Sequence, residues 1–508
     1  MKFVLFKHFT KIWRGKDDSV ENAANMQFHG KVVRFEDCER INRERFSTKE
    51  TTKINAKNQV YAALSVNILA MSVGASIGWV SPSISFLQSQ ETTLDLTLNS
   101  DELSWLGGLL PLGALIGTFL FAWLSEKFGR FWILWLTALP QIISWLCIIY
   151  ASLVEHLYIA RLLAGLCMGG TFALIPVYIS EISNSNIRGT LNSFFLLSIN
   201  FGTLLIFIVG NYMSYNLTSK ANIVLPVSFA IIFLFFPETP YYLLKCGKNK
   251  KAENSLKFLR GCRAIEQTPE VIKSEILQIA KKVEENENTK KSSLFVNELK
   301  LRSTQKALYF GIVLVLVNQL CGCFAFINYT SDIFLKSGST LSPSLSAIIV
   351  AIIQLIGSGA SVFLTEKISR KLLYSTSCCT TMLGLLAFGT HGLLKGFLDI
   401  TQFDWIPIAS MSLVIFAASL GILPLTFIML SELLPLRIRS FGVSFCTGIL
   451  WFVAFLLLRF FPTAVEIFQL HGCMFIFCLI TFMGMIFVIA FVPETKNKTA
   501  EEIEKQLR

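Results

Sequence analysis

Long apolar runs, separated by short polar stretches, follow one another along this chain from Tyr61 onward. A run of about 20 apolar residues is long enough to cross the hydrocarbon core of a bilayer as an α-helix. We predict twelve such spans, centred near Val66, Leu112, Leu139, Cys167, Leu204, Phe229, Leu316, Ile353, Leu385, Ile415, Ala454 and Phe482. The pattern predicts an all-α membrane protein and disfavours the alternative, a soluble helical protein with an oversized core.

Three charged signatures occur twice in the same order, each after a long apolar run. They are a Leu-x-Glu-Lys-x-x-Arg segment, a Glu followed seven residues later by an Arg, and a Pro-Glu-Thr tripeptide. Their charged positions are Glu126, Arg130, Glu181, Arg188 and Glu238 in the first copy, and Glu366, Arg370, Glu432, Arg439 and Glu494 in the second. The repeat indicates two pseudo-symmetric six-helix bundles. Repeated halves are typical of membrane transporters, whose binding site lies between them.

Composition and charge agree with a membrane protein. The chain is 53% hydrophobic and 16% charged, with a mean hydropathy of +0.57. Its net charge of +11 arises from Lys and Arg in the first 57 residues and in segment 245–306. The loops predicted on the other side contain few cations: Lys220, Lys336, Lys395 and Arg459. This asymmetry puts both termini and the central segment in the cytoplasm. Because the cations form no single patch, we predict the lipid bilayer, and no nucleic acid, as a partner.

The same patterns divide the chain into five segments. These are a basic cytoplasmic tail (1–57), a first six-helix bundle (58–237), a cytoplasmic linker with short amphipathic helices (238–306), a second six-helix bundle (307–493) and a cytoplasmic tail (494–508). The stretch Met1–Arg14 mixes aromatic residues with cations, which fits either binding to the anionic cytoplasmic leaflet or a plain basic tail. The long polar stretch before the first span argues against a cleaved signal peptide.

Cysteines and sequence motifs give no sign of a cofactor. Most of the 12 Cys fall in apolar spans, where Cys behaves as a small hydrophobe. Cys321-x-Cys323 has no His or further Cys at ligand spacing, and no phosphate-binding Gly-x4-Gly-Lys-Ser/Thr loop occurs. We therefore predict no disulfide framework, no metal and no cofactor. Of the glycosylation sequons, Asn216 lies on the predicted outer side, whereas Asn328 lies in a span and Asn497 in the cytoplasm.

Several motifs carry a family resemblance. The segment Leu124-Ser-Glu-Lys-Phe-Gly-Arg130 resembles the loop between helices two and three of the major facilitator superfamily. Further motifs resemble its sugar porter branch: Arg161-x3-Gly165, Pro176-x-Tyr178-x2-Glu181 with Arg188-Gly189, Pro237-Glu-Thr-Pro240 and Pro493-Glu-Thr-Lys496. The first span, from Gly74 to Pro82, and the Asn200-Phe-Gly202 turn of span 5 are similar to insect facilitated trehalose transporters. The resemblance extends from about Tyr61 to Gln506.

The resemblance implies that two bundles rock about a central site and open it alternately to each side. It also implies that acids and bases at the cytoplasmic helix ends form ion pairs that close the inner gate. We therefore predict that the ten repeated charged residues given above are gate residues. The alternative is that they are solvated helix ends, where each pair contributes only ~0–1 kcal/mol. Glu126 and Glu366 replace the usual Asp, Ser369 replaces a Gly, and Phe131 removes one cation from the family pattern.

The resemblance also implies a sugar site, because sugar porters hold hydroxyl groups with amides and stack sugar rings on aromatic side chains. The corresponding substrate-binding candidates here are Asn318, Gln319, Gln354, Trp451, Phe324, Phe427 and Asn200. Phe324 and Phe427 stand where the family has an Asn and a Trp. Leu196, Leu423 and Leu450 stand where it has Gln, Gly and Asn. Each lost amide costs on the order of 1 kcal/mol, so the predicted pocket is more apolar than that of a hexose transporter.

Two serines bear on energy coupling. Proton-coupled sugar porters carry an Asp at the position of Ser76, and related transporters carry an acid at that of Ser419. Serine does not titrate near neutral pH, so we predict facilitative transport of a hexose or trehalose-like sugar by alternating access, with no enzymatic activity. Two alternatives stay open: transport of a more apolar organic solute, and a nutrient sensor that signals through the N-terminal tail. The predicted location is the plasma membrane.

Overall fold

The computed structural model describes residues 27–28, 31–32, 56–88, 98–262, 269–289, 298–337, 341–398, 401–435, 438–498 and 500–507. They belong to two compact units, Met1–Ile54 and Asn55–Arg508. In the first unit, β1 (Gln27–Phe28) pairs with the antiparallel strand β2 (Lys31–Val32). The stretch Met1–Arg14, for which the sequence left two interpretations, lies outside the described residues.

The helices of the first half of the second unit form spans 1 to 6. They are α1 (Lys57–Gly78) and α2 (Val80–Gln88) in span 1, α3 (Ser100–Phe128) in span 2, α4 (Arg130–Leu136) and α5 (Ala138–Ile149) in span 3, α6 (Val154–Ile182) in span 4, α7 (Ser185–Tyr212) in span 5, and α8 (Tyr215–Asn222) and α9 (Val224–Phe233) in span 6. Three shorter helices follow: α10 (Pro240–Lys245), α11 (Asn249–Leu259) and α12 (Glu270–Thr289).

The second half contains the remaining helices. They are α13 (Arg302–Leu320) and α14 (Cys323–Ser337) in span 7, α15 (Pro343–Lys367) in span 8, α16 (Arg370–Leu394) in span 9, a 3₁₀ turn (Thr401–Phe403), α17 (Ile406–Ala417) and α18 (Leu423–Leu433) in span 10, α19 (Arg439–Phe491) in spans 11 and 12, and α20 (Ala500–Leu507). A π-helical turn (Ala418–Ile422) joins α17 to α18.

The number of membrane crossings follows from helix length. Among the described residues, 11 helices are long and apolar enough to cross a membrane. The last of them, α19, has 53 residues. At about 1.5 Å per residue it is about 80 Å long, more than twice the hydrocarbon core. It is broken at Gln469, whose φ of 59° and ψ of 169° are not helical, so it crosses twice. The prediction of an all-α protein with twelve spans in two six-helix bundles is confirmed.

Small residues set how closely spans 1 and 5 approach each other. A Cβ atom at Gly74 would collide with the carbonyl oxygen of Ile199, and one at Gly202 would collide with that of Met71. Small residues at helix interfaces let backbones come close in a membrane, where no hydrophobic force drives helices together. This contact fixes α7 against α1 and thereby places Asn200 at the boundary between the two halves.

Two spans of the second half are interrupted near their middle. Span 7 breaks at Gly322, whose φ of 87° favours glycine. Span 10 contains the π-helical turn, which leaves backbone carbonyls without regular helical partners. The side-chain amide of Asn318 donates to the carbonyl oxygens of Ile422 and Leu423, at 3.3 and 3.4 Å. Irregular backbone at membrane depth is tolerated where protein covers it or where it lines a cavity.

Candidate functional site

A cavity of about 100 Å³ lies where the two halves meet, lined by spans 1, 4 and 5 of the first half and spans 7, 8, 10 and 11 of the second. All seven residues that the sequence proposes for substrate binding line it: Asn200, Asn318, Gln319, Phe324, Gln354, Phe427 and Trp451. Leu196, Leu423 and Leu450 line it as well. The central cavity is therefore mostly apolar, with a few polar groups.

The amides of the central cavity differ in what they bind. Gln354 donates to the side-chain oxygen of Asn200 at 3.0 Å, and Asn200 donates to the Ser358 hydroxyl at 2.5 Å. These bonds join the first half to the second. Asn318 is occupied by the carbonyl oxygens of the π-helical turn. By contrast, the side-chain oxygen of the buried Gln319 accepts no hydrogen bond from any residue in the described ranges. A buried acceptor of this kind is rare in proteins and marks a place where a ligand donor fits.

Aromatic rings close the cavity from both halves. Phe172 of span 4 packs edge-on against Trp451, with ring centroids 5.1 Å apart, and lies 6.2 Å from Phe427. Phe324 lies 6.4 Å from Trp451 on the other side. Among the residues that the structure describes, none accepts a hydrogen bond from the indole N–H of Trp451. The sequence missed Phe172, because one more aromatic residue in an apolar span gives no signal that separates lining from core.

The central cavity is small for a ligand of sugar size. Small-molecule sites usually enclose about 300–1,000 Å³. The central cavity, at about 100 Å³, is below that range. The rings of Phe172 and Trp451 and the bonds of Asn200 all cross between the halves. The halves are therefore closed on the site in this structure, and they must separate before a ligand of sugar size fits.

At the end predicted to face outward, polar contacts join the two halves. Arg459 forms an ion pair with Asp101 at 2.6 Å and donates to the Ser104 hydroxyl at 2.7 Å. Its guanidinium also lies 4.8 Å from the centre of the Trp105 ring. A second contact joins the hydroxyls of Ser81 and Ser331 at 2.9 Å. Span 11 is thereby tied to span 2, and span 7 to span 1.

At the opposite end, four of the five repeated charges of the first half form one cluster around the buried Arg130. Arg130 is 4% exposed and forms ion pairs with Glu181 at 3.1 Å and with Glu126 at 2.8 Å. Glu238 accepts the backbone N–H groups of Arg130 and Phe131, each at 3.1 Å. Burial raises the pKa of Glu238 above its ordinary value, although these backbone N–H groups oppose the rise. The cluster ties together spans 2, 3 and 4 and the segment before α10.

The second half contains a looser copy of this cluster. Arg370 lies 3.6 Å from Glu432, whose other carboxylate oxygen accepts from the Thr495 hydroxyl at 2.6 Å. Glu494 accepts the backbone N–H groups of Arg370 at 3.0 Å and Lys371 at 3.2 Å. Burial acts to raise the pKa of Glu494, but backbone N–H groups, including these two, outweigh it, so that its pKa lies below the ordinary value.

The arginines seven residues after the repeated acids donate hydrogen bonds to backbone carbonyl oxygens. Arg188 donates to the carbonyl oxygen of Ser183 at 3.3 Å, and Arg439 to that of Leu434 at 3.4 Å. Both carbonyls end a preceding helix, where a cation satisfies unpaired oxygens and the helix dipole. In this structure Glu181 and Glu432 form ion pairs with Arg130 and Arg370, and a gate role for Arg188 and Arg439 stays a prediction.

The remaining gate candidate approaches the other half. The carboxylate of Glu366 lies 3.8 Å from where a Cβ atom on Gly189 would stand, at the start of α7. The ion pairs of Arg130 and Arg370, in contrast, each join helices of one half. Whether the ten residues act as an inner gate stays a prediction. In this structure most of their contacts join helices of the same half.

A buried cation lies between the central cavity and the outward contacts. Arg161 is 1% exposed, donates to the carbonyl oxygens of Ser76 at 2.5 Å and Leu106 at 2.9 Å, and lies 5.8 Å from the Trp79 ring. Within the described part of the chain, no carboxylate pairs with it. The Ser76 hydroxyl instead accepts from Gln141 at 2.6 Å. Span 1 therefore meets this arginine through neutral groups.

The predicted glycosylation site lies in α8. Asn216 is exposed, as glycosylation requires, but Thr218 of its sequon is 4% exposed and contacts the carbonyl oxygen of Val209. Asn328 is fully buried in α14. Glycosylation at Asn216 stays a prediction.

Comparisons with known proteins cover nearly the whole membrane-spanning part. A family model described as Sugar (and other) transporter matches residues 57–507. The facilitated trehalose transporter Tret1 of Bombyx mori is 32% identical over 458 residues, which cover 90% of this chain and 88% of that protein. Tret1 of Culex quinquefasciatus is 33% identical over 454 residues, which cover 89% and 86%.

Solved structures share the fold. The proton:xylose symporter XylE bound to 6-bromo-6-deoxy-D-glucose matches with a TM-score of 0.72 at 21% identity, over 89% of this chain and 100% of that one. XylE from E. coli in a partially occluded inward-open conformation matches with a TM-score of 0.71 at 19% identity, over 87% and 100%. Both likenesses extend over the two halves.

Proposed function

Because this chain belongs to the Sugar (and other) transporter family, we propose that it carries a sugar down that sugar's concentration gradient by alternating access to the central cavity. The family resemblance seen in the sequence is confirmed, and the chain is a multi-pass membrane transporter and not an enzyme. Its Tret1 relatives are facilitated trehalose transporters, so trehalose is the first sugar to test.

One observation carries the proposal for the site: two side chains that line the central cavity, Gln319 and Trp451, have a buried acceptor and a buried donor without a hydrogen-bond partner among the described residues. A sugar hydroxyl both donates and accepts, so it satisfies both kinds of group. The ring of Trp451 also offers an apolar face, which suits the C–H surface of a pyranose. Gln354 and Asn200 join the ligand shell when the halves separate and their mutual hydrogen bond breaks.

Facilitative transport is supported by the surroundings of Arg161. A proton-coupled carrier needs a group that gains and loses a proton near neutral pH. Ser76 and Ser419 do not titrate in that range, and the Arg161 guanidinium is not a group that exchanges protons near neutral pH. In our proposal the arginine is a fixed charge that holds span 1 against spans 2 and 4. Uptake is then insensitive to a proton ionophore.

Orientation and location complete the proposal. The Lys and Arg asymmetry supports cytoplasmic termini and a cytoplasmic segment 238–306, with Asp101 and Arg459 at the outer end, in the plasma membrane. The segment boundaries derived from the sequence, at 57, 237, 306 and 493, are part of the same proposal. In this orientation the contacts that join the halves at Arg459 and Ser331 close the outer side.

The test is uptake by the purified full-length chain in proteoliposomes, with labelled trehalose and glucose and a labelled lipophilic solute. Loss of one hydroxyl contact costs about 0.5–1.5 kcal/mol, so Gln319→Leu raises KM for the sugar by about 3- to 10-fold. Gln305→Leu, on the exposed face of the same helix, is the matched control and leaves KM unchanged. Absence of sugar uptake, or sugar uptake that ignores Gln319→Leu, contradicts the proposal.

A more apolar organic solute is the second candidate, favoured by Leu196, Leu423 and Leu450 in the cavity lining. It predicts that the lipophilic solute is taken up, that excess trehalose does not compete, and that Gln319→Leu leaves uptake unchanged or raises it. The same panel therefore separates the two cargoes.

A further inference from the structure

A second cavity, of about 400 Å³, lies within the second half and away from the central cavity. It is formed by the ends of spans 7, 9, 11 and 12 at the end proposed to face outward. Its polar lining consists of Lys336, Ser337, His391, Lys395, Gln469 and His471. We call it the basic cavity, because none of the described residues that line it is Asp or Glu. Its volume falls within the range of about 300–1,000 Å³ that small-molecule sites occupy.

The concentration of basic residues is unusual for this face of the molecule. Outward loops of membrane proteins are generally poor in Lys and Arg. Yet Lys336 and Lys395 are two of the few cations that the sequence places on this side. The basic cavity also contains two of the chain's 5 His. The proposed transport path, which runs through the central cavity, does not account for this group of two lysines and two histidines.

Acids behind the lining already balance the two lysines. Lys395 forms an ion pair with Asp404 at 2.7 Å and donates to the carbonyl oxygen of Ser337 at 3.3 Å. Lys336 forms an ion pair with Asp332 at 2.8 Å. With both histidines neutral, the groups around the basic cavity therefore nearly cancel. Protonation of the histidines makes it net positive.

His391 is the residue that points to a ligand. Its side chain is 3% exposed, and its Nε2 lies 3.7 Å from the Asp404 carboxylate and makes no hydrogen bond to any residue that the structure describes. Buried side-chain nitrogens without a partner are rare and need an explanation. His471 follows the break at Gln469 and lies beside Gly392, so the two imidazoles come from different spans and meet at one cavity.

We propose that the basic cavity binds an oxyanion, the carboxylate or phosphate group of a small extracellular molecule or of an outer-leaflet lipid headgroup. The ammonium groups of Lys336 and Lys395 and the protonated imidazoles of His391 and His471 hold it. The bound anion joins the ends of spans 7, 9 and 12 and thereby stabilises the second half. Oxyanions bind where charge-assisted donors converge.

Proton linkage follows from the charged groups that face the cavity. They are Asp332 and Lys336 of span 7, His391 and Lys395 of span 9, Asp404 of the following loop and His471 of span 12, with the exposed Glu466 nearby on span 11. Of these types of side chain, imidazole is the one whose charge changes between pH 5 and 8. Anion binding therefore tightens as the pH falls from 7.5 to 5.5. For each unit by which the bound anion raises the pKa of an imidazole, the anion binds about tenfold more tightly to the protonated form.

The probe is sulfate, because its charge is constant over this pH range whereas that of phosphate changes. The full-length protein is placed in phosphatidylcholine nanodiscs, and its thermal unfolding is followed against sodium sulfate and against sodium chloride of equal ionic strength. We expect a saturable stabilisation by sulfate at pH 5.5, with half-saturation about tenfold weaker at pH 7.5. Sulfate also stabilises proteins in general through exclusion from their surface, so variants decide the result.

The informative variant is the double substitution His391→Gln with His471→Gln, which removes the saturable response. The matched control, His156→Gln with Lys220→Gln, removes outer basic groups away from the cavity and keeps it. Because His391 is buried and its replacement can impair folding, Lys336→Gln, at a side chain 48% exposed, is the second test and weakens half-saturation about threefold. An equal, non-saturating response in all proteins overturns the proposal.

A lipid arm distinguishes the two sources of the anion. Nanodiscs that contain phosphatidylglycerol weaken the sulfate response of the parent protein if a headgroup occupies the basic cavity, and leave it unchanged if the natural ligand is a free anion. If phosphatidylglycerol weakens the response equally in the double histidine variant, the lipid acts elsewhere and the site is contradicted.

Discussion

The two ends of the membrane-spanning unit use charged residues differently. At the cytoplasmic end proposed here, Arg130 and Arg370 each tie together helices of a single half. At the opposite end, Arg459 of the second half pairs with Asp101 of the first. A contact within one half survives a rocking motion of the halves, whereas a contact between halves must break. We therefore predict that the repeated charges stabilise each half by itself, and that the unrepeated Arg459 contact holds the two halves together on one side.

The two copies of the inner cluster also differ from each other. In the first, Gly129 has a φ of 103°, and a Cβ atom there would collide with the Glu238 carboxylate. In the second, Ser369 occupies the corresponding position and contributes a side-chain hydrogen bond that lowers the pKa of Glu494. One Gly-to-Ser difference between the copies thus accompanies opposite pKa shifts of the two acids. The two copies therefore share the same backbone contacts to the acid but differ in the pKa shift of that acid.

The largest effect expected from this comparison is that of Arg130→Ala. It leaves Glu181, which is only 11% exposed, without its cation, whereas Glu126 keeps an ion pair with Lys245, so we expect a loss of about 3–5 kcal/mol of stability. Arg370→Ala costs less, about 1–3 kcal/mol, because its pair is longer and more exposed. Thermal unfolding in nanodiscs measures the order. Arg302→Ala, an exposed arginine at the start of α13, is the control, and equal losses in the first two variants refute the ranking.

A smaller effect is expected from Arg188→Ala and Arg439→Ala. Both arginines bind carbonyl oxygens at helix ends and not the repeated acids, so each replacement costs about 0.3–1 kcal/mol. Transport rate is expected to change little. The measurement is unfolding together with sugar uptake. A loss as large as that of Arg130→Ala in either variant means that the seven-residue pairs form after all in another state of the cycle.

Much of the fold follows from the sequence because membrane spans are long and uniformly apolar. The twelve centres, including Ala454 and Phe482 on either side of the Gln469 break, lie on helices of the structure. The seven candidate residues, chosen by resemblance, line one cavity, and their role in substrate binding stays a prediction. The sequence did not show which acid meets which arginine, because Arg130 reaches Glu181 from another span. Phe172 and the Arg459 contact were missed for the same reason: they depend on tertiary placement.

The smallest effect concerns pH. The raised pKa of Glu238 means that its contribution to stability is present below its unfolded value and is lost as pH rises through its folded pKa. The lowered pKa of Glu494 means the reverse: its contribution is present above its unfolded value and is lost as pH falls through its folded pKa. At pH 7, Glu494→Gln therefore destabilises the protein more than Glu238→Gln does.

Unfolding of these two variants at pH 7 and at pH 4 measures the difference. The stability lost through Glu494→Gln becomes smaller on acidification. The stability lost through Glu238→Gln stays about the same or becomes larger. Ser369→Gly removes a hydrogen bond that lowers the pKa of Glu494, so the pKa values of Glu494 and Glu238 come closer together. Identical pH profiles for the two glutamate variants contradict the assignment of opposite shifts.

The most direct measurement is the distance between the outer ends of the two halves, by electron–electron resonance of spin labels at Tyr150 and Phe397, with reactive native cysteines replaced. These positions are 76% and 80% exposed, one in each half. An exposed ion pair is worth about 1 kcal/mol, or about a fivefold change in population. We predict that Arg459→Ala raises the population at long distances, relative to that at short distances, by about fivefold. Arg370→Ala leaves the distance distribution unchanged. Lengthening in Arg370→Ala without lengthening in Arg459→Ala would contradict the account.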